Sequence, residues 1–296
     1  MKYYDWSCKK GVLLKGFDGQ LIPMSEPYFS VRQIAPKTWQ ILSSGDYSYL
    51  LAGDGQALLI DSGYGAGNIR EFCEKFCGLP IPWIANTHEH FDHTANNGYF
   101  DLVYLTETAH QKATTPFPSF DGVQFKKDYP VKYIKTGDVI PLPGRELLCL
   151  ELGDHSPGGV VFLDKQTNIL FSGDEIWTTK PLRGTPAQFG KQLKTIAQYR
   201  DCFDILYAGN GQYGAGTLDK LLVCCERAMA GELGEYAPQD LGLLGAWGDE
   251  LEDGTIVYDR MRPHKGDGGA GKAAANQERL RCITEKGVRL IFLPDK

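Results

Sequence analysis

Two periodicities divide the chain. Between residues 31 and 63, apolar and aromatic side chains fall into short blocks: VRQIAPKTWQIL (31–42), YSYLLAG (47–53) and ALLIDSG (57–63). Blocks of this length, rich in β-branched and aromatic residues, predict strands. The Asp54-Gly55 pair between the second and third predicts a hairpin turn. Over residues 66–78 the period changes. Ile69, Phe72, Cys73 and Phe76 recur at i, i+3, i+4 and i+7, which predicts an amphipathic helix closed by Gly78 and Pro80. IPWIANT (81–87) and DLVYLT (101–106) return to strand, and a short helical piece containing His110 follows. Residues 111–130 carry Phe117, Phe120, Phe125 and Tyr129 among prolines and glycines. They predict a long loop, and such loops in compact domains are often functional.

The second half is again strand-rich and then helical, without a usable internal repeat. Residues 131–177 read as strands, and a helix over 187–203 would present Phe189, Leu193, Ile196 and Ala197 on one face. ILYAG (205–209) is a strand, and Leu218, Leu221, Leu222, Cys225 and Met229 mark another amphipathic helix. Beyond residue 240 the chain is Gly-rich and charged, with short strands at GTIVYDRM (254–261) and VRLIFLP (288–294). Two strand-rich halves, each followed by helices, predict sheet packed on sheet with helices outside. We expect a main domain over 1–235 and a C-terminal extension over 236–296, a Gly-rich loop whose short strands pack on the core.

Composition narrows the function classes. The formal net charge of −6 argues against a broad surface for nucleic acid or anionic membrane. The N-terminus lacks the apolar stretch of a signal peptide. No run approaches the roughly 18 apolar residues of a spanning helix, so the expected compartment is cytoplasmic. The eight cysteines are scattered. Cys73 and Cys77 would stack on a helix, but no further cysteine pair or histidine completes a metal set there. They read as buried small hydrophobes with reduced thiols.

The stretch THEHFDH (87–93) changes the picture. It places His88, His90, Asp92 and His93 within six residues, directly after a predicted buried strand. On a helix at about 100° per residue, His88 and Asp92 would share a face while His90 and His93 pointed elsewhere. Position 92 is also Asp where the H-E-x-x-H pattern needs a histidine. An extended loop instead projects His88 and His90 to one side, and a turn then brings Asp92 and His93 towards the same space. Imidazole nitrogens and carboxylate oxygens are what Zn²⁺ takes. A polar surface turn explains any one of these residues, but not four together. GDHSPGG (153–159) and LFSGDEIW (170–177) offer further ligands: His155 on a loop, and Asp174 at the end of an apolar strand.

On these motifs, with Asp61 in LLIDSG, the chain resembles the metallo-β-lactamase fold superfamily of hydrolases over roughly residues 30–215. The resemblance implies an αββα four-layer sandwich of the α+β class with two metal positions at one edge of the sheets. His88, His90 and His155 would hold the first, Asp92 and His93 the second, and Asp174 would bridge them. One motif departs. The family ends its site with a histidine in a P-G-H-G-like turn, whereas the corresponding turn here reads ILYAGNGQYG (205–214) and offers Asn210. An amide oxygen binds a borderline-soft ion less well than an imidazole. The expectation is therefore one tightly held zinc and a weak or empty second position, with iron or manganese as the other candidate ions. His110 and His264 read as surface or supporting residues.

Three histidines leave an open fourth position, where zinc lowers the pKa of bound water to roughly 7. Asp92 is the expected general base, passing its proton to the leaving group. Asp61 is expected to bond a ligand or the loop backbone from behind. The expected reaction is cleavage of an ester, thioester, lactone or related bond in a small molecule by a metal-bound hydroxide. The 111–130 loop, Gln212 and Tyr213 would wall the pocket. Three other readings stay open: a mononuclear non-haem metal oxygenase, a catalytically degenerate ligand binder suggested by Asn210, and a dinucleotide-binding turn at Gly63, Gly65 and Gly67. Those glycines are spaced G-x-G-x-G, not G-x-G-x-x-G. Lactamase activity does not follow from fold alone, and oligomeric state is not legible.

Overall fold

In the computed structural model, the predicted strands gather into two facing sheets with helices on both outer sides. The structure describes residues 29–43, 47–63, 68–113, 128–237 and 279–294, with strand backbones at 12–15, 21–23, 249–250 and 256–259. The first sheet runs in sequence order: Ser30–Ala35, Thr38–Leu42, Tyr47–Ala52, Ala57–Ile60, Trp83–Ala85, Leu102–Leu105 and Val131–Tyr133. Its first four strands pair antiparallel and its last four parallel. The second sheet is ordered Val139–Leu142, Arg145–Glu151, Val160–Asp164, Ile169–Gly173, Ile205–Ala208 and Gly211–Gly214. Only the pairing of Ile169–Gly173 with Ile205–Ala208 is parallel in it.

The period of two sorts the core into layers. Leu51, Leu58 and Ile60 face Cys149, Phe162 and Phe171 between the sheets. Leu50 and Leu59 point the other way, onto Ile69 and Cys73 of the helix Ile69–Cys77. Leu150, Val161, Leu163 and Leu170 meet Phe189, Leu193, Leu218 and Leu221 of the helices Pro186–Ala197 and Gly216–Met229. Each such side chain, fully buried, stabilises the fold by roughly 1.5–3 kcal/mol before chain entropy is charged against it. At one end of the sandwich the buried Arg145 guanidinium bonds Asp164, the Thr38 hydroxyl and the Lys37 carbonyl, clasping the sheets. The register Thr38, Leu51, Leu58, Trp83 places that clasp at the amino end of Trp83–Ala85. THEHFDH leaves from the opposite end.

Two elements differ from the sequence expectation, and a third, the short helical piece containing His110, agrees with it. Residues 31–42 form a hairpin, because Pro36 interrupts the run and Lys37 adopts φ 53°. The helix expected over 187–203 starts at Pro186 behind a Thr185 capping box and stops at Ala197, leaving a 3₁₀ turn at Arg200–Cys202. The helix Glu107–Lys112, capped by Thr106, leads into the predicted 111–130 loop, whose residues 114–127 lie outside the described ones.

Near the C-terminus, Arg281–Glu285 and Val288–Phe292 form a hairpin that pairs with Thr179–Pro181 on one side and Glu235–Tyr236 on the other. Ile283, Val288, Leu290 and Phe292 join the outer cluster of the second sheet. The strand Ile256–Asp259 pairs with Val12–Lys15. No helix among the described residues is long and apolar enough to cross a membrane.

Candidate metal centre

Parallel strands deliver the site residues. Asp61 follows Ala57–Ile60, Thr87 and His88 follow Trp83–Ala85, Asp174 follows Ile169–Gly173, and Gly209 and Asn210 follow Ile205–Ala208. All leave the carboxyl ends of their strands, the usual ligand edge of such sheets. Gly173 makes the turn possible: it holds φ 49°, and a Cβ there would lie 2.4 Å from the Thr87 hydroxyl. Two contacts fix the far turn across the sheets, Tyr47 N–H to the Gly209 carbonyl at 2.9 Å and the Tyr49 hydroxyl to the Ala208 carbonyl at 2.5 Å.

Within THEHFDH the backbone bends over Thr87–Glu89, His90 is extended, and Phe91–Thr94 then makes one helical turn. The turn expected after His90 is therefore helical, too short for a periodic signal. Its His93 carbonyl accepts from the Ser62 backbone at 2.8 Å and from the Asn86 amide at 2.8 Å, which anchors it to the neighbouring loop.

Six predicted ligands converge. His88, His90 and His155 form one group and His88, His93 and Asp174 another, with the ligand atoms of each group within 4.8 Å of one another. His90 Nδ1 lies 3.0 Å from His155 Nε2. Asp174 spans both groups, with Oδ2 at 3.5 Å from His155 Nε2 and Oδ1 at 3.8 Å from His93 Nε2. Asp92 Oδ2 is 3.7 Å from His93 Nε2, and Asp92 lies outside both groups. His88 is the residue common to both groups.

Hydrogen bonds set the tautomers. The Thr87 hydroxyl donates its only proton to Asp61 Oδ2 at 2.7 Å, so at 3.1 Å it accepts from His88 Nδ1. That leaves the lone pair of His88 on Nε2. Asp61 Oδ2 likewise accepts from His93 Nδ1 at 2.9 Å and directs His93 Nε2 into the site. His88 Nε2, His93 Nε2 and Asp174 Oδ1 are all buried without a hydrogen-bond partner. Such orphans are rare, and three in one place fit a cation. A tetrahedral ion with bonds of about 2.0–2.1 Å separates its ligand atoms by about 3.3–3.4 Å, close to the 3.0 and 3.5 Å found around His155.

Electrostatics agree with the geometry. Burial lowers the pKa values of His88, His90 and His155, and His93 and Arg183 add to it, although the Asp92 charge opposes it at His90; the shifts favour the neutral imidazole, the ligand form. At His93 burial opposes charge, but Asp92, Asp61 and Asp174 outweigh it and raise the pKa well above the ordinary value. The shift favours a protonated His93 in the metal-free protein, and a metal ion at this position would compete with that proton. Burial pushes Asp174 up to about 6.

The remaining predicted residues surround this centre. Asn210 accepts from the Tyr213 hydroxyl at 3.1 Å. Tyr213 is half-buried, its pKa raised by burial and then by the Asp174 charge, whereas Gln212 is exposed. His110 sits apart, 3.0 Å from the Tyr133 hydroxyl; His264, Gly65 and Gly67 lie outside the described residues. Cys73 and Cys77 are free thiols on the helix Ile69–Cys77. Sequence reasoning missed Trp177, whose ring lies 6.3 Å from that of His155. It also missed buried Glu175, Lys180, Asp154, Glu89 and Ser156. Glu175 accepts the N–H groups of Asp154, His155 and Ser156 at 3.2, 2.8 and 3.1 Å and so shapes the loop of one ligand. The only hint was a second acid beside Asp174 in SGDEIW.

A profile of the metallo-beta-lactamase superfamily matches residues 45–222. The chain belongs to that superfamily. Among curated proteins it is similar to the acyl-coenzyme A thioesterase MBLAC2 of Homo sapiens, 28% identical over 163 residues, which are 44% of this chain and 57% of that protein. The Gallus gallus MBLAC2 is 26% identical over 159 residues, with the same shares covered. The chain thus spans a little over half the length of these relatives. Among solved structures, a metallo-beta-lactamase from Pontibacter korlensis superposes with a TM-score of 0.55 at 18% identity, covering 67% of this chain and 99% of the other. The metallo-beta-lactamase FIM-1 from Pseudomonas aeruginosa, in its mono-zinc form, gives 0.53 at 15%, covering 69% and 97%. These superpositions establish the αββα fold of the superfamily for this chain.

Proposed function

We propose that this chain is a metal-dependent hydrolase that cleaves thioesters of small molecules, with acyl-coenzyme A as the first class to test. The observation that carries the metal dependence is the convergence of three buried, unpartnered ligand atoms, His88 Nε2, His93 Nε2 and Asp174 Oδ1. The thioester preference is supported by the thioesterase relatives. Zinc is the ion that the histidine-rich donor set favours, in a position built by His88, His90 and His155. When bound, such an ion supplies a Lewis acid and water activated near neutral pH.

The chain's own residues would do the rest. Asp61 and Thr87 lock the imidazoles in the tautomers that present Nε2 inward. Asp92, whose Oδ2 lies 3.7 Å from His93 Nε2, would take a proton from attacking water and return it to the leaving thiolate. Trp177 lines the His155 side, and Tyr213 and Asn210 line the far turn. Because an amide stands at position 210, the second position holds its ion weakly.

Purified, zinc-loaded protein tested against acyl-coenzyme A thioesters, aryl esters, lactones and a chromogenic β-lactam should cleave the thioesters fastest, with His90→Ala inactive. Zinc-loaded protein that leaves every thioester intact, or cleaves the lactam faster, would overturn the proposal.

A further inference from the structure

Lys180 is fully buried, yet it lies beside a site built for a cation. Its ammonium donates to Glu175 Oε2 at 3.3 Å and to the Asp174 carbonyl at 3.4 Å, and it pairs with Asp154 Oδ2 at 3.3 Å. The Phe189 ring covers another side at 5.3 Å. Two of these partners are chain neighbours of predicted ligands, Asp154 of His155 and Glu175 of Asp174, and the third is Asp174 itself. Glu175 also takes the backbone N–H groups of residues 154, 155 and 156. Asp154 takes those of Arg183 at 3.4 Å and Gly184 at 3.0 Å. One ammonium therefore joins the His155 loop, the Asp174 turn and the 180–184 segment.

The strand that carries Lys180 is itself held from outside. Lys180 pairs in register with Leu290, the Arg289 N–H reaches the Thr178 carbonyl at 2.7 Å, and the Leu182 N–H reaches the Ile291 carbonyl at 2.8 Å. The C-terminal hairpin thus sets the position of the ammonium. A buried charge is weak evidence for stability, since an apolar side chain of similar volume often serves as well. Beside a cation site it also repels the ion. A charge buried here is accounted for if it sets geometry.

We infer that Lys180 is a positioning residue, which holds His155 and Asp174 at the spacing the metal centre requires. The inference rests on the metal-dependent reading above. The test compares wild type, Lys180→Met and Lys180→Arg. Zinc affinity is measured by competition with a chromophoric chelator, the cobalt(II)-loaded forms by visible absorption, and the metal-free forms by circular dichroism and melting. Folded Lys180→Met should lose roughly 10- to 100-fold in zinc affinity and show altered cobalt bands, and Lys180→Arg should recover part of both. Wild-type or tighter zinc binding by Lys180→Met, with unchanged cobalt bands, would overturn the inference whatever the melting temperature does. If Lys180→Met does not fold, Asp154→Asn carries the same comparison, with weakened zinc binding expected and wild-type affinity overturning it. Failure of the metal reading is distinguishable, because wild type would then take up neither ion.

Discussion

Asp61 holds the His93 ring, Oδ2 to Nδ1, at 2.9 Å, from a backbone that itself sits at φ 56°. Asp is one of the few residues that tolerate this left-handed region. The same carboxylate takes the Thr87 N–H at 2.8 Å and the Thr87 hydroxyl at 2.7 Å. Asp61→Asn keeps the backbone tolerance but turns an acceptor into a donor facing donors. Its zinc affinity should fall roughly 10- to 100-fold with the fold intact. Calorimetric titration beside a circular dichroism spectrum measures both, and unchanged affinity would remove Asp61 from the site's support.

Asn210 stands where the superfamily motif leads one to expect a histidine. Asn210→His should raise the tightly bound metal from about one ion per chain towards two. Elemental analysis after exhaustive dialysis decides it. Two full-occupancy ions in wild type would show that the amide does not weaken the second position.

Gly209 packs against the site. A Cβ there would lie 2.3 Å from Asp174 Oδ1 and 3.0 Å from His93 Cε1. The φ of Gly209 is not positive, so the constraint is space and not backbone strain. Gly209→Ala should displace Asp174 and cut hydrolysis by about 100-fold, the order expected when catalytic groups move by about 1 Å. Secondary structure should remain. Wild-type kcat/KM in this variant would mean that Asp174 has room to move harmlessly.

Glu175 gives the metal-free protein a pH dependence. Burial pushes its pKa up to about 7 from an ordinary 4.5. Between these values the folded state binds more protons than the unfolded state. The stability contribution of Glu175 is therefore present below about pH 4.5 and is lost as pH rises through about 7. The shift corresponds to about 3 kcal/mol. Denaturant unfolding of metal-free wild type and Glu175→Gln across this range should show wild type losing ground to the variant as pH rises. A pH-independent difference between the two would contradict this.

Much of this molecule was legible in the order of its residues. The strands were readable because alternating or unbroken apolar blocks have few other uses, and the helix Ile69–Cys77 because its period changes so clearly. Five histidine and carboxylate ligands of the two groups stood out because THEHFDH is local and its partners sit in turns of unusual composition. Lys180, Glu175 and Asp154 stayed invisible for the opposite reason. Each alone is an ordinary polar residue, and they meet only because two loops and a strand leave neighbouring edges of the sheet. The hairpin at Lys37 and the single helical turn Phe91–Thr94 escaped because each is shorter than the period that would announce it.

His90 and His155 are 65 residues apart in the chain and 3.0 Å apart in space, one from each sheet. Bringing them together closes a long loop, whose entropy opposes the encounter until the inner faces have docked. An ion held by both would resist separation of the halves by mass action. Metal retention would therefore gauge sheet docking. A substitution that loosens the contact between Tyr49 and Phe171, ring centroids 4.9 Å apart, would register as ion loss while each sheet still kept its own hydrogen bonds.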